Sequence, residues 1–113
     1  MELDEYFETG PAFERPIFEV IGAHMLTLDP EMFYEPVSVG IFFKRRSTFL
    51  SLRTKTKWIA VGFSLRRSLE HNRLSRKVVP HGKRYHHVVN VNDAREIDDE
   101  LLEWLTEAWL ADE

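Results

Sequence analysis

Three runs of β-branched and aromatic residues follow one another with only three residues between them, and this spacing restricts the fold more than any other feature of the chain. Residues 37–44 (Val-Ser-Val-Gly-Ile-Phe-Phe-Lys), 48–53 (Thr-Phe-Leu-Ser-Leu-Arg) and 57–65 (Lys-Trp-Ile-Ala-Val-Gly-Phe-Ser-Leu) each have the composition of a strand. The linkers Arg45-Arg46-Ser47 and Thr54-Lys55-Thr56 are far shorter than a parallel crossover requires, so neighbouring strands must pair antiparallel through hairpins. The spacing therefore predicts a β-meander.

A last strand is expected over residues 85–91, with Tyr85, His87, Val89 and Val91 on one side and His86, Val88 and Asn90 on the other, because strand side chains alternate. Lys77-Val78-Val79 reads as a short edge strand and Pro80-His81-Gly82-Lys83 as a turn. The polar, basic stretch 66–76 has no periodicity and reads as a loop with a helical turn near 68–71. On the N-terminal side, Gly10-Pro11 followed by Phe13, Ile17, Val20, Ile21, His24 and Met25 predicts a helix over 11–26, in which Pro16 removes a hydrogen bond unless the start lies a turn later, and which Asp29-Pro30 ends. On the C-terminal side, Asp93 and Glu96 fit a capping box, and Ile97, Leu101, Trp104, Leu105, Ala108 and Trp109 form one apolar stripe at helical spacing.

The expected fold class is α+β: a four- to five-stranded antiparallel sheet flanked by an N-terminal and a C-terminal helix, both on one face, with the opposite face partly open. At 113 residues, 43% hydrophobic and 30% charged, the chain is sized and composed for a single domain spanning 1–113. The absence of cysteine excludes disulfides, thiolate metal sites and cysteine nucleophiles. The acidic start Met1-Glu2-Leu3-Asp4-Glu5 is unlike a signal peptide and no apolar run is long enough for a membrane span, so a cytoplasmic protein with no membrane partner is expected.

Charge is distributed unevenly. Thirteen of the fifteen Lys and Arg residues lie between Lys44 and Arg84, where Glu70 is the only acid, so this segment carries +12. Residues 1–43 and 85–113 each hold nine acids against one arginine and carry −8 apiece, which the net charge of −4 conceals. Basic strands and loops beside Phe43, Phe49, Trp58 and Tyr85 suit a nucleic acid or other polyanion, or an acidic protein. The candidate ligand-binding residues are Lys44, Arg45, Arg46, Arg53, Lys57, Arg84, Tyr85 and His87. The competing account is that the basic segment pairs with the acidic helices inside the molecule and merely keeps the sheet soluble.

Catalytic signals are sparse. His86 and His87 point to opposite faces of a strand, and no His-Glu-x-x-His or cysteine pair supports a metal, so neither metal nor cofactor is expected. Asp98, Asp99 and Glu100 are explained by helix capping, and there is no phosphate-cradling glycine loop or nucleophile elbow. The expectation is a non-enzymatic binding module, with a small enzyme built on a pocket around Lys44, Tyr85 and His87 as the alternative.

The series Phe42-Phe43-Lys44-Arg45-Arg46-Ser47-Thr48-Phe49, Arg84-Tyr85-His86-His87-Val88-Val89, Glu96-Ile97-Asp98-Asp99-Glu100-Leu101-Leu102 and Trp104-Leu105-Thr106-Glu107-Ala108 resembles a small bacterial domain-of-unknown-function family. In that family a helix precedes a β-meander and a His-Val strand leads into a closing helix. The resemblance implies the α+β architecture and no established activity. Its relatives, small stand-alone proteins or tail domains, include some suspected of nucleic-acid work.

Overall fold

The computed structural model describes residues 1–113. Helices α1 (Leu3–Glu8) and α2 (Glu14–Leu28) precede strands β1 (Phe33–Val37), β2 (Gly40–Lys44), β3 (Thr48–Thr54), β4 (Ile59–Leu65), β5 (Val79–His81) and β6 (Arg84–Val91). A short 3-10 turn, Ala94–Glu96, leads into α3 (Asp99–Ala111). The strands form one antiparallel sheet in the order β1-β2-β3-β4-β6-β5. The meander and the two helices packed on one face are as expected, while the sheet has six strands rather than four or five.

The added strand is β1. Its run Phe-Tyr-Glu-Pro-Val contains Pro36, which argues against a central strand but is harmless at a sheet edge, where the missing N–H has no partner to lose. β1 and β2 meet in a tight hairpin through Ser38 and Val39, dividing what reads in sequence as one strand. A side chain at Gly40 would place its Cβ 2.2 Å from the Leu52 carbonyl oxygen, so the close approach of β2 to β3 requires glycine. At the other edge, Pro80 and His81 belong to β5 and the turn closes on Gly82 at φ +63°, a left-handed conformation natural to glycine.

The chain from β4 passes β6 before returning, so that β6 enters between β4 and β5. Residues 66–78 make this crossing: Leu74 pairs with Val89, and the Ser75 N–H donates to the Val88 carbonyl at 2.8 Å.

Helix α2 starts at Glu14, which puts Pro16 in the first turn, where its lack of an N–H costs nothing. It buries Ile17, Phe18, Ile21 and Met25. The Asp93–Glu96 capping box forms, but it opens the 3-10 turn; α3 is capped separately by Asp98, which accepts from the Leu101 N–H at 3.0 Å. α3 buries Leu101, Trp104, Leu105 and Ala108 against the sheet. His24 of α2 and Thr106 of α3 join the two helices at 2.7 Å. Between helices and sheet lies one core, including Ile41, Phe43, Leu50, Leu52, Val61, Phe63 and Val89. No helix is long and apolar enough to cross a membrane.

Candidate functional site

Alternation divides the central strands cleanly. Phe63 and His87 stack face to face at 5.3 Å on the helix side, and Phe63 stacks on Trp104 at 6.0 Å. Ser51, Gly62 and Val88, aligned across β3, β4 and β6, therefore belong to the opposite side, with Arg53, Ala60 and Asn90 in the next row.

On this open face the small or short residues Ser51, Ala60, Gly62 and Val88 form a buried floor, and Arg53, Lys55, Arg76 and His86 form the rim. The concavity they enclose is about 360 Å³ and its lining contains no acid. A Cβ on Gly62 would sit 2.7 Å from Ser51 Oγ and 3.1 Å from His86 Nε2, so glycine here lets the hydroxyl and the imidazole close over the middle strand. The Arg53 guanidinium rests above the Phe42 ring, 5.0 Å from its centre. Burial, followed by the charges of Arg76, His87 and Arg53, holds His86 below the usual histidine value, so its ring is neutral at pH 7 and offers both a donor and an acceptor.

Four of the thirteen cations of the +12 segment are held in ion pairs. Lys44 pairs with Glu35 at 3.0 Å, Arg67 with Glu107 at 2.9 Å, Arg73 with Asp98 at 2.7 Å and Arg84 with Asp112 at 2.5 Å. Arg53, Lys55 and Arg76 on the rim form no ion pair. Three of these pairs lie on the loop and helix side and Lys44–Glu35 lies at the β1–β2 edge of the open face, so the rim of the concavity itself stays positive.

The eight residues singled out from the sequence are scattered. Arg45, Arg46 and Arg84 converge at the end of α3: Arg45 lies 4.1 Å from the centre of the Trp109 ring, the Arg46 N–H donates to Asp112 at 2.8 Å, and Arg84 forms the ion pair with that carboxylate. Arg53 belongs to the open face, and Lys57 sits exposed in the β3–β4 turn. His87 is buried on the helix side, its Nε2 accepting from the Leu69 N–H at 3.0 Å. Lys44 stands on β2, three strand spacings or roughly 14 Å from Tyr85 and His87 on β6, so the three do not line one pocket. Ser51, Lys55, Arg76 and His86 complete the concavity. The alternation of β6 already placed His86 on this side; the approach of Arg76, from the irregular crossing, left no periodic signal.

A family model described as Domain of unknown function (DUF5655) matches residues 3–111, nearly the whole chain. The chain belongs to the DUF5655 family. No curated protein and no solved structure matches it. Membership in DUF5655 names no activity, so a functional reading rests on the chemistry of the site.

Proposed function

We propose that this DUF5655 chain is a cytoplasmic, non-enzymatic binding module that takes a phosphate-bearing polyanion, single-stranded nucleic acid foremost, on the concave open face of its sheet. The observation that carries this reading is a rim of three unpaired cations, Arg53, Lys55 and Arg76, over a floor of small residues with no acid among them. Long basic side chains around a shallow, acid-free depression supply phosphate contacts without a repelling neighbour. Phe42, half-buried beneath Arg53, and Trp58, 40% exposed in the adjoining turn with Lys57, offer aromatic surface against which unpaired bases stack.

Fluorescence anisotropy of a labelled single-stranded oligonucleotide at about 50 mM salt tests the reading. Binding that is lost in Arg53→Glu/Arg76→Glu supports it. Absence of binding at that salt, or binding indifferent to the two reversals, overturns it.

A further inference from the structure

A second cavity lies away from the basic face, where α1, the turn before α2, the β1–β2 hairpin and the end of β3 come together. It measures about 290 Å³, at the small end of ligand pockets, and its lining includes Met1, Glu5, Tyr6, Thr9, Glu14 and Thr54, with no Lys, Arg or His side chain. Glu14 is 4% exposed. Its Oε2 accepts from the Tyr6 hydroxyl at 2.6 Å and from the Thr54 hydroxyl, whereas Oε1 is fully buried and has no partner.

Unpartnered buried carboxylate oxygens are costly, and a native fold rarely keeps one without a reason. Two features define what this one awaits. First, Oε1 packs against Gly10, where a Cβ would stand 2.5 Å from it, so glycine at this position is what leaves room for the oxygen at the wall of the cavity. Second, the Tyr6 and Thr54 hydroxyls are both spent on Oε2, and none of the other donors in the lining, the Thr9 and Ser38 hydroxyls and the Met1 ammonium, bonds Oε1. Glu14 opens α2, where the helix dipole favours the ionised form, and the surrounding segment, residues 1–43, carries −8. Burial works against ionisation and raises the Glu14 carboxyl above its ordinary value; burial and the Glu14 bond likewise raise the Tyr6 phenol, which therefore remains a donor. A cationic donor seated on Oε1 relieves the desolvation and the missing hydrogen bond together.

We infer that this cavity is a binding site for a small organic cation, a primary ammonium group whose N–H donates to Glu14 Oε1 while its short apolar tail lies in the cavity. The site is independent of the basic face and of its ligand.

The test is a 1H–15N correlation titration of the whole chain with n-propylammonium chloride at pH 7, beside n-propanol as the uncharged counterpart. Saturable shifts confined to Thr9, Gly10, Glu14 and Thr54 are expected with the amine and not with the alcohol. Gly10→Ala presses a methyl group against Oε1 and displaces it, and Glu14→Gln keeps an acceptor for Tyr6 and Thr54 while removing the charge; each should weaken amine binding roughly tenfold or more, the worth of one charge-assisted hydrogen bond. Glu14→Gln decides the matter if the alanine variant loses its dispersed spectrum, and Gly10→Ala decides it in the converse case. No saturable shift with the amine, an equal response to propanol, or amine binding that survives both substitutions and merely fades with salt overturns the inference.

Discussion

Asp112 and Ser47, 65 residues apart, are joined twice: the carboxylate accepts from the Ser47 N–H at 2.9 Å and from its hydroxyl at 2.6 Å. The same carboxylate accepts from the Arg46 N–H and pairs with Arg84, and it has no solvent exposure. The residue that ends α3 thus grips the β2–β3 hairpin and the start of β6. Although burial works in the opposite direction, the Ser47, Arg84 and Arg46 hydrogen bonds hold the Asp112 carboxyl down at about 2.

Substituting Asp112→Ala should destabilise the fold by about 3 kcal/mol, because it leaves a half-buried arginine and three hairpin donors without their acceptor. The native carboxyl titrates below its unfolded value near 4, so its stabilisation is complete above about pH 4 and is lost as the pH falls toward 2, by about 2 to 3 kcal/mol in all. Urea melts of wild type and variant between those limits should converge at the acid end; a constant gap would show that the carboxylate contributes no proton linkage.

Trp104 is 8% exposed, stacked on Phe63, with the His71 ring meeting it edge-on at 5.0 Å. Trp104→Ala should cost about 3 to 5 kcal/mol in chemical denaturation. A loss below about 1 kcal/mol would mean that α3 packs on another face.

His86 and His87, on opposite faces of β6, are both held below the ordinary histidine value, chiefly by burial. The unfolded chain therefore binds protons first, and stability should be complete above about pH 6.5 and decline below it. Replacing both with glutamine, which keeps an acceptor for the Leu69 N–H, should flatten the decline in thermal melts between about pH 7 and 5. An unchanged slope would assign it to other groups.

Three rim cations imply that the logarithm of the oligonucleotide affinity falls with the logarithm of salt at a slope of about −2, since each phosphate contact on a single strand contributes roughly −0.7. Arg53→Ala should reduce the slope by one such step while costing less than about 0.5 kcal/mol of stability, the side chain being exposed. A slope unaltered in Arg53→Ala would move the contact surface elsewhere.

The α+β class, the meander, the closing helix and the faces of β6 were legible because each follows from local periodicity or from linker length. The strand at Phe33–Val37 was hidden by Pro36, whose tolerance depends on an edge position that only the assembled sheet reveals. Helix α1 buries little beyond Tyr6, so it shows no apolar stripe by which the sequence could announce it. The candidate site was legible as charge and not as geometry. The segment sum of +12 treats Arg73 and Arg76 alike, yet one is held by Asp98 and Glu100 and the other stands on the open rim. Separating them depends on the path of residues 66–78, a crossing that carries no repeat. The grouping of Lys44 with Tyr85 and His87 failed for a related reason, since strand order is a property of the sheet and not of sequence neighbours.

Strand β3 has one more consequence, a mechanical one. Its first residue follows Ser47, which is clasped by the end of α3, and its last is Thr54, whose hydroxyl is bound by Tyr6 and Glu14 from the N-terminal helices. Tension applied across the two ends of the polypeptide is therefore carried into β3 at both of its ends, about 22 Å apart. The sheet is loaded in shear along a central strand instead of being unzipped from an edge. The rupture force is then set by two side-chain clasps, and severing either one should turn a mechanically stiff domain into one that peels.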